Sequence, residues 1–247
     1  MPDAPTEFQY LSALRRYDTP TVCNVIELLD VRPRNQGFMD RSIKACFPRL
    51  PPVVGYATTA TFRSAQPGER GDVYTSLADQ VEQILEEVPA PRLVVFQDLD
   101  DTPAAATFGE VMCTVYQAFG GVGLITSGAA RDLEQVEKLG FACFASSTIA
   151  SHGYTRIPDV NVEVTVGGLV VRPGDVLHAD ANGVTSIPRG LVPEVALACQ
   201  KLMDAEALIL DYAKAGTPTV DGLRQAQDAC FQRFSAIPEE VRRALRR

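Results

Sequence analysis

Histidine is scarce in this chain: only His152 and His178 occur among 247 residues. The six cysteines, Cys23, Cys46, Cys113, Cys143, Cys199 and Cys230, include no CxxC pair, and neither histidine stands at metal-ligand spacing from them. They read as buried, reduced thiols of an intracellular protein, not as a disulfide framework or a metal cage. A basic excess is also missing. The net charge is −8, which argues against a nucleic-acid binder. The one basic cluster, from Arg242 to Arg247, reads as a solvated tail. The opening residues, MPDAPTEFQY, lack a basic segment and an apolar core, so no signal peptide is expected. No apolar run approaches the length of a membrane span, and a cytoplasmic protein without membrane or nucleic-acid partners is expected. Neither the Walker nor the dinucleotide glycine spacing occurs, and there is no GxSxG elbow. Internal repeats and low-complexity segments are absent too.

What is present suits a large α/β fold. Apolar residues make up 46% and charged residues 22% of the chain, ordinary values for a globular protein with a sizeable core. Glu7 to Tyr17 reads as a helix capped by Thr6, and Thr19-Pro20 starts a second helix that ends before Arg32-Pro33. The irregular stretch 34–52 is long for a loop, which marks it as functional or as a crossing between subunits. Val53 to Phe62 is a strand and 68–71 a turn. Val73, Leu77, Val81, Ile84, Leu85 and Val88 share a helical face. Arg92 to Phe96 is a buried strand. Thr107 to Phe119 is a helix, Val122 to Ile125 a strand, and a helix beginning at Arg131-Asp132 stops at Gly140. A strand from Phe141 to Phe144 follows. Beyond a polar loop, Val160 to Val166 and Leu169 to Val171 form a hairpin around Gly167-Gly168. Val176 to Ala179 and Val184 to Ile187 form another around Asn182-Gly183. A long helix spans Pro193 to Ala215, and a last one covers about Asp221 to Phe234 before a polar tail. The order predicts a mixed sheet with helices alternating in the first half and a β-meander in the second.

Two places can carry chemistry. Arg131 and Asp132 follow a small-residue turn at the end of a strand, where open α/β sheets gather ligands. Arginine offers a planar fork to a carboxylate, and aspartate anchors a hard divalent ion. By residue type alone the pair is more simply a surface pair favoured by the helix dipole. Phe108-Gly109-Glu110-Val111-Met112 is a loop-to-helix transition whose free N–H groups suit an anion, and Gly109 permits close approach. Alone, it is more simply an ordinary helix start. Together the two could grip both ends of a small α-keto acid. His152, in Ser151-His152-Gly153-Tyr154, suits a substrate contact or a proton shuttle as well as it suits an idle loop. His178 reads as structural. The acidic run Asp98 to Asp101 reads as a solvated loop.

Gly109-Glu110, Gly121 and Ser127-Gly128-Ala129-Ala130-Arg131-Asp132-Leu133 resemble the motif of the RraA-like proteins. These include 4-hydroxy-4-methyl-2-oxoglutarate and 4-carboxy-4-hydroxy-2-oxoadipate aldolases and the regulator of ribonuclease activity A. Asp18 to Cys23, Val160 to Gly168, Val171 to Asp175 and Asp180 to Val184 extend the likeness over about 19–216. The resemblance implies one RraA-like domain over 1–247, an α/β/β sandwich of swivelling-domain type with helical N- and C-terminal extensions, the latter at 217–247. It implies a homotrimer or homohexamer with sites between subunits. It implies a lyase of class II type that needs Mg2+ or Mn2+, cleaves a 4-hydroxy-2-keto diacid to pyruvate, and has oxaloacetate decarboxylase activity. Residue by residue, it makes Arg131 the substrate and enolate ligand, Asp132 the metal anchor, and Gly109, Glu110, Val111 and Met112 the pyruvyl cradle. Glu110 is the motif's acidic position, and Glu206 matches an acidic residue given by a neighbouring subunit. The chain departs from the family at Ser127 and Asn24, where aspartate is usual, at Gln135, where aldolases carry an acid, and in the His152 loop. Two other readings follow: a non-catalytic regulator that binds a ribonuclease, and a lyase of different substrate that uses His152.

Overall fold

Along residues 93–96, side chains alternate between two cores. Val94 and Phe96 belong to one hydrophobic cluster, and Leu93 and Val95 to the other. A strand buried on both faces needs a covering layer on each side, and the computed structural model supplies both. It describes residues 6–68 and 76–246, without the side chains of 84–86. The chain forms two compact units, Met1–Arg34 with Arg189–Arg247, and Asn35–Pro188.

In chain order the elements are α1 (Glu7–Leu14), α2 (Thr19–Leu28), β1 (Lys44–Ala45), β2 (Val53–Phe62), α3 (Leu77–Glu87), β3 (Arg92–Asp98), β4 (Ala106–Phe108), α4 (Glu110–Ala118), β5 (Gly121–Thr126), β6 (Ala129–Ala130), α5 (Leu133–Leu139), β7 (Ala142–Ala145), β8 (Ser147–Thr148), β9 (Val164–Val166), β10 (Leu169–Val171), β11 (Val176–Asp180), β12 (Gly183–Ile187), α6 (Val192–Lys214) and α7 (Val220–Leu245). The seven-stranded sheet runs β1-β7-β5-β3-β2-β11-β12. Strands β2, β3, β5 and β7 are parallel, while β11, β12 and β1 are antiparallel additions. Val81 of α3, Cys113 and Tyr116 of α4 and Val136 of α5 fill the core on one face. The β9–β10 hairpin covers the other with Val164, Val166, Leu169 and Val171. Helix, sheet and second sheet give the expected α/β/β order. Gly167 and Gly168, at φ 53° and 73°, turn that hairpin in the left-handed region.

Several elements differ from the sequence expectation. Asp18, not Thr19, caps α2, because its carboxylate accepts from the Thr21 N–H at 2.9 Å. Thr6 caps α1 in a capping box with Gln9, as expected. The stretch 34–52 packs on its own sheet: Met39, Ile43 and Phe47 enter the cores, and Lys44–Ala45 pairs with β7. Thr107 lies in β4 and not in a helix, and β4-β6-β8 is a small parallel sheet that no periodicity announced. The polar tail is helical, since α7 continues through Pro238 to Leu245. Cys230, Ile237 and Val241 recur at helical spacing and are buried, which outweighs the hydrogen bond the proline forfeits. Arg242 and Arg243 pair with Glu239. The turn residues Glu69, Arg70 and Gly71, Val73 of the helical face, and the side chains of Ile84 and Leu85 lie outside the described residues.

Candidate active site

Strands β4 and β6 bring the two motifs together. Ala106 pairs with Ala129 and Phe108 with Ala130 in parallel register, so Gly109 and Arg131 leave the small sheet at the same end. The Glu110 N–H then donates to Asp132 Oδ2 at 3.0 Å, across 22 residues of sequence. Asp132 stands at the N-cap position of α5, yet its side chain makes no cap bond there. It caps α4 instead, whose own N-cap, Gly109, has no side chain to offer. Asp132 sits at φ 54°, ψ 39°. That left-handed conformation is one that a short polar residue tolerates better than most. A carboxylate at a helix N-terminus also answers the helix dipole.

Arg131 lies beside it, with Nε 3.8 Å from Asp132 Oδ2. That is an ion pair but not a hydrogen bond. Arg131 Nε is buried and has no hydrogen-bond acceptor. Gly109 creates the room for this arrangement. A Cβ built there would collide with Asp132 Oδ2 and come within 3.0 Å of Arg131 Nε. The Asp132 and Arg131 side chains thus lie directly against Gly109.

Other expected site residues fall as follows. The Val111 side chain is 69% exposed, and Met112 packs against the core, so these two can serve a ligand mainly through the N–H groups of the first turn of α4. Glu110 is exposed at the same terminus. His152 is exposed, with Nδ1 2.8 Å from the Gly153 carbonyl. Its loop reaches the small sheet, because the Ala106 N–H donates to the Ser151 carbonyl at 2.7 Å. Gln135 is exposed on α5. Ser127 Oγ accepts from the Asp98 N–H at 2.9 Å and so ties the ends of β3 and β5 together. Glu206 lies on α6 in the helical unit, where it lines a cavity of about 400 Å3 with Asn24, Glu27, Arg34 and Phe231.

The acidic run is solvated only in part: Asp101 is exposed, whereas Asp98 and Asp100 are not. Asp98 is half-buried, and its Oδ2 is buried with no hydrogen-bond partner. Burial raises its pKa, reinforced by the charge of Asp100 and opposed by the Asp100 N–H and by Arg63. The carboxylate faces Gly128, where a Cβ would stand 2.8 Å from Asp98 Oδ2. Beneath the same glycine, Thr107 and Thr126 share a hydrogen bond at 3.1 Å. Only the position of Asp98 at the end of an apolar strand could have flagged it in the sequence.

Among the described residues, no three His, Cys, Asp or Glu side chains come together as a metal cage. An ion such as Mg2+ does not require one, since it keeps waters and takes one or two carboxylates alongside substrate oxygens. Asp132 fits that role. Both its hydrogen bond and its ion pair fall on Oδ2, and neither engages Oδ1.

Fold and site together define a class: an α/β/β protein with an Arg-Asp pair at the carboxyl edge of its parallel strands. The chain belongs to the RraA-like family, whose model, described as Aldolase/RraA, matches residues 19–185. A Halalkalibacterium halodurans protein named "Putative 4-hydroxy-4-methyl-2-oxoglutarate aldolase" is 36% identical over 106 residues, 42% of this chain and 50% of that one. The chain therefore spans about half the length of that relative. An uncharacterized Pseudomonas syringae protein has the same fold, with a TM-score of 0.71 and 22% identity over 91% of this chain and 95% of that one. So does Streptomyces coelicolor RraAS2, described as an unusual member of the RNase ES inhibitor RraA protein family. It superposes with a TM-score of 0.64 and 19% identity over 86% of this chain and 99% of its own.

Proposed function

We propose that the protein is a divalent-metal-dependent lyase that cleaves a 4-hydroxy-2-keto diacid and releases pyruvate, with oxaloacetate decarboxylation as a related activity. The observation that carries this reading is the buried Arg131 Nε, without an acceptor, next to a carboxylate fixed by the Glu110 N–H. Such a pair offers a cation and a metal ligand to one small anion.

The substrate's C1 carboxylate meets the Val111 and Met112 N–H groups at the first turn of α4. Asp132 holds Mg2+ or Mn2+, which when bound supplies Lewis-acid polarisation of the C2 carbonyl. Glu110 accepts the proton of the C4 hydroxyl. The C3–C4 bond breaks, and its electron pair passes to the three-carbon fragment as the enolate of pyruvate. Arg131 faces the charge that grows on the enolate oxygen. Protonation at C3 gives pyruvate, and the other fragment leaves as a carbonyl compound. With oxaloacetate the same electron pair is released as CO2 departs. His152 lies on the loop that borders β4 and contacts the distal part of the substrate. Glu206 reaches the site of a neighbouring copy in a trimer or hexamer.

The test is pyruvate release from 4-hydroxy-2-keto diacids and from oxaloacetate, with Mg2+ or Mn2+ and with EDTA. Turnover should need the metal. Arg131→Ala and Asp132→Asn should each lower it by at least about a hundredfold, roughly the loss of one strong transition-state contact. No turnover of any such substrate would sink the proposal. A ribonuclease-regulating role is the second reading, favoured by the fold shared with RraAS2 and by exposed Gln135 where aldolases carry an acid. It requires that the purified protein lower the activity of a purified ribonuclease while turning over no keto acid.

A further inference from the structure

Three helices of the helical unit each turn one stripe toward a shared cavity of about 400 Å3. Helix α2 gives Asn24, Glu27 and Leu28, α6 gives Leu202 and Glu206, and α7 gives Phe231 and Phe234. Spacings of three and four residues place each set on a single helix face. Arg34, beyond the end of α2, also lines the cavity. All of these residues belong to the unit formed by Met1–Arg34 and Arg189–Arg247. The size is within the range of small-molecule pockets.

The charged groups of this cavity are uncommitted. Glu27 and Glu206 are half-buried and Arg34 is exposed. Among the described residues, none of the three side chains forms a hydrogen bond or an ion pair. Withdrawing a charge from water without a partner is unfavourable, and two carboxylates in one cavity repel each other as well. The charge of Glu206 is felt nearby: burial raises the pKa of the Cys230 thiol, and Glu206 raises it further. The apolar part of the lining is open too. Phe231 is 59% exposed, although it packs edge-to-face on Phe234 with ring centroids 6.2 Å apart. Leu202 and Leu28 extend that apolar wall into the cavity.

Paired carboxylates call for an ammonium, a guanidinium fork for a carboxylate, and phenyl rings and leucines for an apolar body. A small zwitterion with an apolar group meets all three. We propose that this cavity binds an α-amino acid with an apolar side chain. Glu27 and Glu206 take its ammonium, Arg34 its carboxylate, and Leu28, Leu202, Phe231 and Phe234 its side chain. Glu206 is the one residue shared with the proposed lyase machinery. The inference does not depend on that reading, because its test reads binding and not turnover.

Calorimetric titration of the full chain with L-phenylalanine and with L-leucine tests this. Phenethylamine, 3-phenylpropionate and glycine serve as probes that lack the carboxylate, the ammonium and the apolar group in turn. At least one of the two apolar amino acids should bind, and each probe should bind at least about tenfold more weakly, the usual cost of one lost charged or apolar contact. Glu27→Gln and Arg34→Gln should each raise the Kd of that amino acid by at least about fivefold. Neither side chain holds a contact of the fold, and thermal melts confirm that both variants are folded. Phe231→Ser should weaken binding by a similar factor; if it does not fold, the two Gln variants decide. Absence of binding by both amino acids, a probe that binds as tightly as they do, or unchanged affinity in the Gln variants would each overturn the proposal. So would a Phe231→Ser protein that binds like wild type but has a smaller mass by light scattering, because a second copy of the chain would then be what covers the ring.

Discussion

At Gly109 a hydrogen atom stands where any other residue would place carbon. That carbon would meet the Asp132 carboxylate and crowd Arg131. Gly109→Ala should therefore cost about 1–3 kcal/mol of stability by overpacking and lower pyruvate release by at least about tenfold; urea melts and the coupled assay check both. If the variant is as active as wild type, the packing of Gly109 against the pair is not what sets the site. Asp98 gives a pH prediction. Burial raises its folded-state pKa above the unfolded value, so the native state binds the extra proton. Native stability is then lost as pH rises from the ordinary carboxylate value, about 3.9, through the higher native one. Asp98→Asn should remove that decline, so the variant gains on wild type across this window and the gain levels off above it. Denaturant melts at a series of pH values measure this, and parallel curves for the two proteins would refute it.

At the scale of elements, Arg92 joins two helix ends to one strand. It is buried at the start of β3, and burial lowers the pKa of its guanidinium. Its Nε donates to the Val88 carbonyl at 2.6 Å, and its Nη1 to the Phe119 carbonyl at 3.1 Å. Val88 and Phe119 are the C-cap residues of α3 and α4, where carbonyls have no intrahelical donor. Arg92→Met keeps the volume but strands both carbonyls, and should cost roughly 2–4 kcal/mol. A drop of less than about 1 kcal/mol in urea melts would mean that water replaces the guanidinium. Elements were legible where local chemistry sets them. The Thr6 cap, the Gly167-Gly168 hairpin and the apolar run of β3 needed no distant partner. The small sheet β4-β6-β8 was illegible, because strands of two or three residues carry no period and exist only by pairing. The continuation of α7 past Phe234 was illegible, because its surface is mostly polar and the few apolar residues Cys230, Ile237 and Val241 are buried only once the chain is folded.

For the whole molecule, the thiols give a global readout of folding. Cys113, Cys143, Cys199 and Cys230 are buried, and Cys23 and Cys46 partly so. Burial pushes Cys46 up to about 11 and Cys199 up to about 12. A thiolate is the reactive form, so buried thiols with raised pKa react slowly. With a chromogenic disulfide reagent the native protein should show at most two fast equivalents, and all six only after denaturation. Four or more fast equivalents would contradict this packing. Light scattering checks the proposed assembly, which should have three or six times the chain mass of 26.7 kDa.

Residue order alone determined the Thr6 cap, the hairpin turns, the apolar strands and the motif that marks the family, because each depends on neighbours within a few positions. It also placed Arg131 next to Asp132, but it could not say what either side chain touches. Tertiary structure decided that Asp132 caps α4 rather than its own helix, that Gly109 lies against the Asp132 and Arg131 side chains, and that Asp98 and Asp100 are partly withdrawn from solvent. It also set Arg63 against Arg156, 93 residues along the chain. The reason is physical: parallel strands join residues far apart in sequence at one edge, and burial and charge balance exist only once that edge is assembled.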